Sequence, residues 1–128
     1  MSANSAATGA DALRQSDGAT VSIVFYDGLD DLLQCLGCLG RQTRIPEQVF
    51  VVDNSPGGLP CELPAFGLEI EILRPGGNIG FAAGNNLALH QTKTEFIATL
   101  NADAFPEPGW LEALVCAAGH HPEAAAFG

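Results

Sequence analysis

The sequence predicts an α/β fold, a mostly parallel sheet with helices on both faces. Three observations predict it. Apolar, strand-like runs alternate with helix-like segments along the chain, the runs end in polar or glycine-rich turns, and 128 residues allow one domain with a single core.

The first twenty residues, MSANSAATGADALRQSDGAT, are small and polar with one Arg. They lack the basic and apolar regions of a signal peptide and read as a flexible leader over 1–20, with the domain over 21–128. TVSIVFY, residues 20–26, is β-branched and aromatic and predicts a buried first strand. Leu29, Leu32, Leu33, Leu36 and Leu39 then recur at three- and four-residue steps, with Asp30 and Asp31 in the first turn, as a helix requires.

EQVFVVDNS, residues 47–55, predicts a second strand that turns out at its carboxyl end, where Asn54 and Ser55 favour a turn and PGGLP follows. LEIEILRP, residues 68–75, alternates apolar and acidic positions and predicts a half-covered strand near an edge. GGNIGFAAGNN then leads into a helix from about Phe81 to Gln91. EFIATLNA, residues 95–102, predicts the next strand, PEPGWLEALVCAAGHH a helix with Pro near its start, and AAAF a further apolar segment. The Pro/Gly-rich piece from Pro56 to Pro64 reads as a loop, and no segment repeats.

Charge excludes some partners. Five Lys and Arg stand against fifteen Asp and Glu, a formal net charge of -10. A surface of that sign repels nucleic acid and anionic lipid, whereas a phosphate-bearing ligand can still bind where backbone N–H groups or a metal ion offset its charge. No window approaches the ~18 apolar residues of a membrane span, so a soluble, cytoplasmic chain is expected.

The four cysteines point to packing. Cys35 and Cys38 lie inside an amphipathic helix rather than at the helix N-terminus where a reactive pair belongs, and the spacing to Cys61 and Cys116 fits no common zinc pattern. His90, His120 and His121 sit on or at the end of helices, where structural roles suffice, and Trp110 reads as core.

Open parallel sheets bind ligands at the carboxyl ends of their strands. Asp53, the loop after Arg74 and the stretch from Asn101 to Asp103 all fall at such ends. Gly76, Gly77 and Gly80 precede a helix whose N-terminus offers free N–H groups, which suits phosphate. The spacing of Gly77, Gly80 and Gly84 is neither G-x-G-x-x-G nor a P-loop, and a tight turn with close helix packing through Gly84 explains the same residues. Asp103 closes an apolar strand and suits Mg²⁺ or Mn²⁺ shared with substrate phosphates, or else caps the following segment. Asp53 has the same two readings.

Taken together, VSIVFYDGLDDLLQCL, VFVVDNSP, NIGFAAGNNLAL and LNADAFPEPGWLEAL, in that order, resemble the nucleotide-sugar-binding half of family 2 glycosyltransferases, especially the rhamnosyltransferase-like branch. The resemblance covers residues 21 to 128. It implies a Rossmann-like GT-A sheet truncated after the donor-binding half, and a UDP- or dTDP-sugar ligand whose diphosphate uses both the glycine loop and a Mg²⁺ or Mn²⁺ ion. Under the resemblance, Asp53 contacts the pyrimidine base, and Asn78, Gly80 and Asn85 shape the donor pocket beside the diphosphate. Asn101 and Asp103 occupy the outer positions of the family's D-x-D, with Asp103 as the metal ligand and Asn in place of the first Asp.

Two departures from the family pattern bear on the site. The first strand reads as about two residues short of a typical strand, with Asp27 where relatives carry Asn, which affects the base pocket around Phe25 and Tyr26. The chain also ends before the half in which the family carries its base carboxylate, so no catalytic residue is assigned, and Glu107 in the first turn of a helix suits capping. The family reaction is an inverting displacement by the hydroxyl of a saccharide or lipid-linked acceptor, in cell wall or polysaccharide biosynthesis. A non-catalytic nucleotide-binding or protein-interaction module of the same fold is the alternative.

Overall fold

The computed structural model describes residues 18–120, so most of the expected leader, His121 and the apolar segment at 124–127 lie outside the described residues. The chain runs β1 (Ala19–Phe25), α1 (Leu29–Gly40), β2 (Gln48–Asp53), β3 (Ile70–Leu73), α2 (Phe81–Gln91), β4 (Phe96–Asn101) and α3 (Trp110–His120). The strands form one sheet in the order β3-β2-β1-β4, and every neighbouring pair is parallel. All four carboxyl ends therefore open on one rim.

The central strands β1 and β2 are buried on both faces, as apolar runs without alternation require. Ala19, Val21, Ile23 and Phe25 of β1 and Val49 and Val51 of β2 pack with Leu32, Cys35, Leu36 and Leu39 of α1 and Leu111 of α3. Phe50 and Val52 face the other way, onto Ala88 of α2 with Val24, Leu73 and Leu87. Each fully buried Leu, Ile or Val contributes roughly 2 kcal/mol. The edge strand β3 is only partly covered, matching its apolar-acidic alternation.

Three expectations are corrected. The first strand is not short: it has seven residues, because Ala19 pairs with Phe96 at one end and Phe25 with Asp53 at the other. Its last residue, Phe25, lies in the core, and only Tyr26, 52% exposed, reaches the rim. The last helix begins at Trp110, so Glu107 precedes it instead of forming its first turn. Pro106 and Pro108 account for this, since each disfavours helical geometry in the residue before it.

Gln42, buried between the two helices of that layer, fastens the segment. Its Nε2 donates to the carbonyls of Cys38 (3.3 Å) and Glu107 (2.7 Å), and its Oε1 accepts from the Leu111 N–H (3.0 Å). The Thr43 N–H adds a bond to the Pro108 carbonyl at 2.8 Å. The chain between β4 and α3 is thereby held to the end of α1. Cys35 is core as expected: burial pushes its thiol up to about 12, aided by nearby Cys38 and Asp103, which removes it from thiolate chemistry.

Candidate functional site

Register sets the geometry of the rim. Phe25 of β1 pairs with Asp53 of β2, and its neighbour Val24 pairs with Asn101 of β4, so Asp53 and Asn101 stand within one residue of the same level. They flank β1 and are two strand spacings apart, about 10 Å. The loop after β3 enters beside Asp53 on its other side. The three polar features thus share one rim, in the order glycine loop, Asp53, Asn101 to Asp103.

Asp53 is 6% exposed and both its oxygens are engaged within the chain. Oδ1 accepts from the N–H and hydroxyl of Ser55, which is the turn that Asn54 and Ser55 favoured. Oδ2 accepts from the Leu59 N–H (2.7 Å) and from Arg74 (3.0 Å). Burial raises the pKa of this carboxyl, but the bonds from Ser55 and Leu59 and the Arg74 charge outweigh it and hold the group below its ordinary value. Arg74 also donates to the carbonyls of Leu59 and Pro60, locking the 55–60 loop to the end of β3. Asp53 and Arg74 act as one unit at the strand ends.

The glycine loop is shaped by two different demands. Gly80 has φ +91°, a conformation that L side chains rarely adopt, while nothing would crowd a Cβ there. Gly84 needs its missing side chain for space, because a Cβ would lie 3.0 Å from Val24. Asn78 turns the loop by accepting the Gly80 N–H at 2.9 Å. Asn85 lies on the sheet side of α2, where its Oδ1 accepts from the buried Ser22 hydroxyl at 2.7 Å. No side chain caps α2, so its first N–H groups remain open at the rim. Asn54 adds a tie across the site: its Nδ2 donates to the Gly80 carbonyl at 3.1 Å.

Asn101 and Asp103 are exposed where β4 ends, and the Ala104 N–H closes a turn on the Asn101 carbonyl. Asp103 holds no hydrogen bond or ion pair among the described residues, which is the state of a carboxylate able to meet a ligand. Among those residues no three His, Cys, Asp or Glu side chains are grouped to hold a metal ion. A cation at Asp103 would therefore have fewer than three such side chains from the described residues and take further oxygens from phosphate and water, a donor set Mg²⁺ and Mn²⁺ accept. Ile79, Phe81 and Phe105 are exposed apolar side chains on the same rim as Tyr26.

Arg74 and Asn54 were not among the expected site residues. Arg74 had a usable signal: it is one of five basic residues in an acidic chain and stands at a strand end directly before the glycine loop. Asn54 had none beyond its turn propensity.

A sequence profile described as glycosyl transferase family 2 matches residues 20–128. No curated protein matches the sequence significantly. Among solved structures, S. aureus TarS superimposes with a TM-score of 0.66 at 21% identity, covering 82% of this chain and 20% of that one. TarS 1-349 in complex with UDP gives 0.64 at 19% identity, covering 82% of this chain and 33% of the other. TarS 1-349 in complex with UDP-GlcNAc gives 0.60 at 22% identity, covering 83% and 31%. The chain spans a fifth to a third of the length of these proteins, and at this identity the likeness is one of fold.

Proposed function

Because the chain belongs to glycosyl transferase family 2, we propose that it is the donor-binding part of a glycosyltransferase and takes a nucleoside diphosphate sugar along its rim. The observation that carries this reading is the common level of Asp53 and Asn101 across β1, with the open α2 N-terminus beside them. Asp53 and Asn101 stand two strand spacings apart, about 10 Å, so an extended ligand lying across β1 would meet both.

The base lies near Asp53 and Tyr26, the diphosphate between the α2 N–H groups and Asp103. Helix N-H groups attract the phosphate charge that the acidic surface would otherwise repel. Asp103, with Asn101 beside it, would hold a Mg²⁺ or Mn²⁺ ion, which would supply positive charge against the diphosphate. Uridine is favoured over thymidine as the base, since the similar folds were solved with UDP and UDP-GlcNAc. The reaction served is inverting transfer to a saccharide or lipid-linked acceptor in cytoplasmic cell wall or polysaccharide assembly, and the rhamnosyltransferase-like branch is the finer assignment. Among the described residues no helix is long and apolar enough to cross a membrane.

Titration calorimetry with UDP, with and without Mn²⁺, tests the reading. Binding that tightens with the metal is expected, and Asp103→Ala should abolish that gain while changing stability by no more than about 0.5 kcal/mol, as for an exposed side chain. Metal-independent binding would remove Asp103 from the site, and absence of binding would favour an interaction module.

A further inference from the structure

Asn54 is 2% exposed and bonded in two directions. Its backbone N–H donates to the Phe25 carbonyl at 2.7 Å, continuing the ladder past the end of β1. Its side-chain Nδ2 donates to the carbonyl of Gly80, the residue that opens α2. One residue therefore joins the ends of β1 and β2 to the start of the helix whose N–H groups face the rim. The same amide carries an oxygen, Oδ1, that is buried and meets no donor. Buried acceptors in folded proteins are almost always satisfied, so an orphan at the mouth of an uncapped helix points to a donor brought in by a ligand or its water.

Resting on the nucleotide-sugar reading, we propose that Asn54 is the positioning residue of the diphosphate end of the site. It holds Gly80 in its positive-φ turn and keeps the first α2 N–H groups aimed at the phosphates, and its free Oδ1 accepts a hydrogen bond from a hydroxyl or water that the bound nucleotide carries in. An amide is needed for this. Aspartate has nearly the same shape but sets a second acceptor against the Gly80 carbonyl, where only a donor is tolerated.

Two measurements on the whole chain test it, using UDP and uridine as probes. Hydrogen exchange in the free protein reads the tie directly: Asn54→Asp should speed exchange of the amides at 84–87, the first that are bonded within α2, while Asn54→Ser, which keeps a donor hydroxyl, should restore part of the protection. Calorimetry then reads the role in binding. Asn54→Asp should weaken UDP roughly tenfold, the worth of one misdirected α2 N–H bond to the charged phosphates, and leave uridine within about twofold. A residue that only supports the fold would weaken both probes equally, and that result overturns the proposal, as does unchanged UDP affinity. If the natural protein binds uridine but not UDP, the positioning role falls while base recognition stands. If it binds neither, the donor reading itself has failed, and exchange at 84–87 still decides whether Asn54 holds the helix start.

Discussion

Asp53 is a buried carboxylate whose charge is stabilised by four donors, from Ser55, Leu59 and Arg74. Its depressed pKa links stability to pH. The unfolded value is about 3.9, so the contribution is fully present above that pH and is lost as pH falls through the lower folded value. Asp53→Asn should cost about 2 kcal/mol at pH 7, the order of a hydrogen bond to a charged group. Urea titrations of both proteins should show this gap narrow below about pH 4; a constant gap down to pH 2 would assign the loss to packing instead. The sequence marked Asp53 as a rim residue through its place at a strand end. It could not show that Arg74, twenty-one positions away, neutralises it, because that pairing exists only once β3 lies against β2.

At the scale of elements, α2 shows how one motif serves two ends. Its residues Phe81–Gln91 were fully legible, since a glycine turn followed by small and apolar residues has few other readings. Which glycine does what was not legible. In an exposed helix, Gly84→Ala would add up to about 1 kcal/mol of helix preference. Here the new methyl would meet Val24 at 3.0 and 3.3 Å and Val52 at 3.5 Å, and neither neighbour is the free end of a flexible chain. Overpacking of this kind costs about 1–3 kcal/mol, so Gly84→Ala should lower stability overall. Thermal unfolding checks the sign: a raised Tm would mean that α2 lifts off the sheet easily. Asn85 belongs to the same lesson, because its bond to Ser22 spans sixty-three positions and binds helix to sheet.

For the whole molecule, both helix layers pack on the same two central strands, which makes separate unfolding of either layer unfavourable. Trp110, the only tryptophan, belongs to the α1/α3 side, while far-UV circular dichroism reports all elements. The two signals should give coincident urea transitions, and divergence would show the α3 layer melting first. Added salt should raise the midpoint, because a net charge of -10 repels itself and about 0.2 M salt shortens the screening length below 8 Å.

The sequence by itself determined the elements and their type, the parallel sense of the sheet and the rim shared by Asp53, the glycine loop and Asp103. Those follow from hydrophobic periodicity and from strand-helix alternation, which are properties of neighbours along the chain. Tertiary structure alone decided the order β3-β2-β1-β4, the full length of β1, the late start of α3, and the pairings of Arg74 with Asp53 and Asn54 with Gly80. Each of these depends on which strand comes to lie beside which, and a residue's own neighbourhood in the chain carries no record of a partner twenty or more positions away.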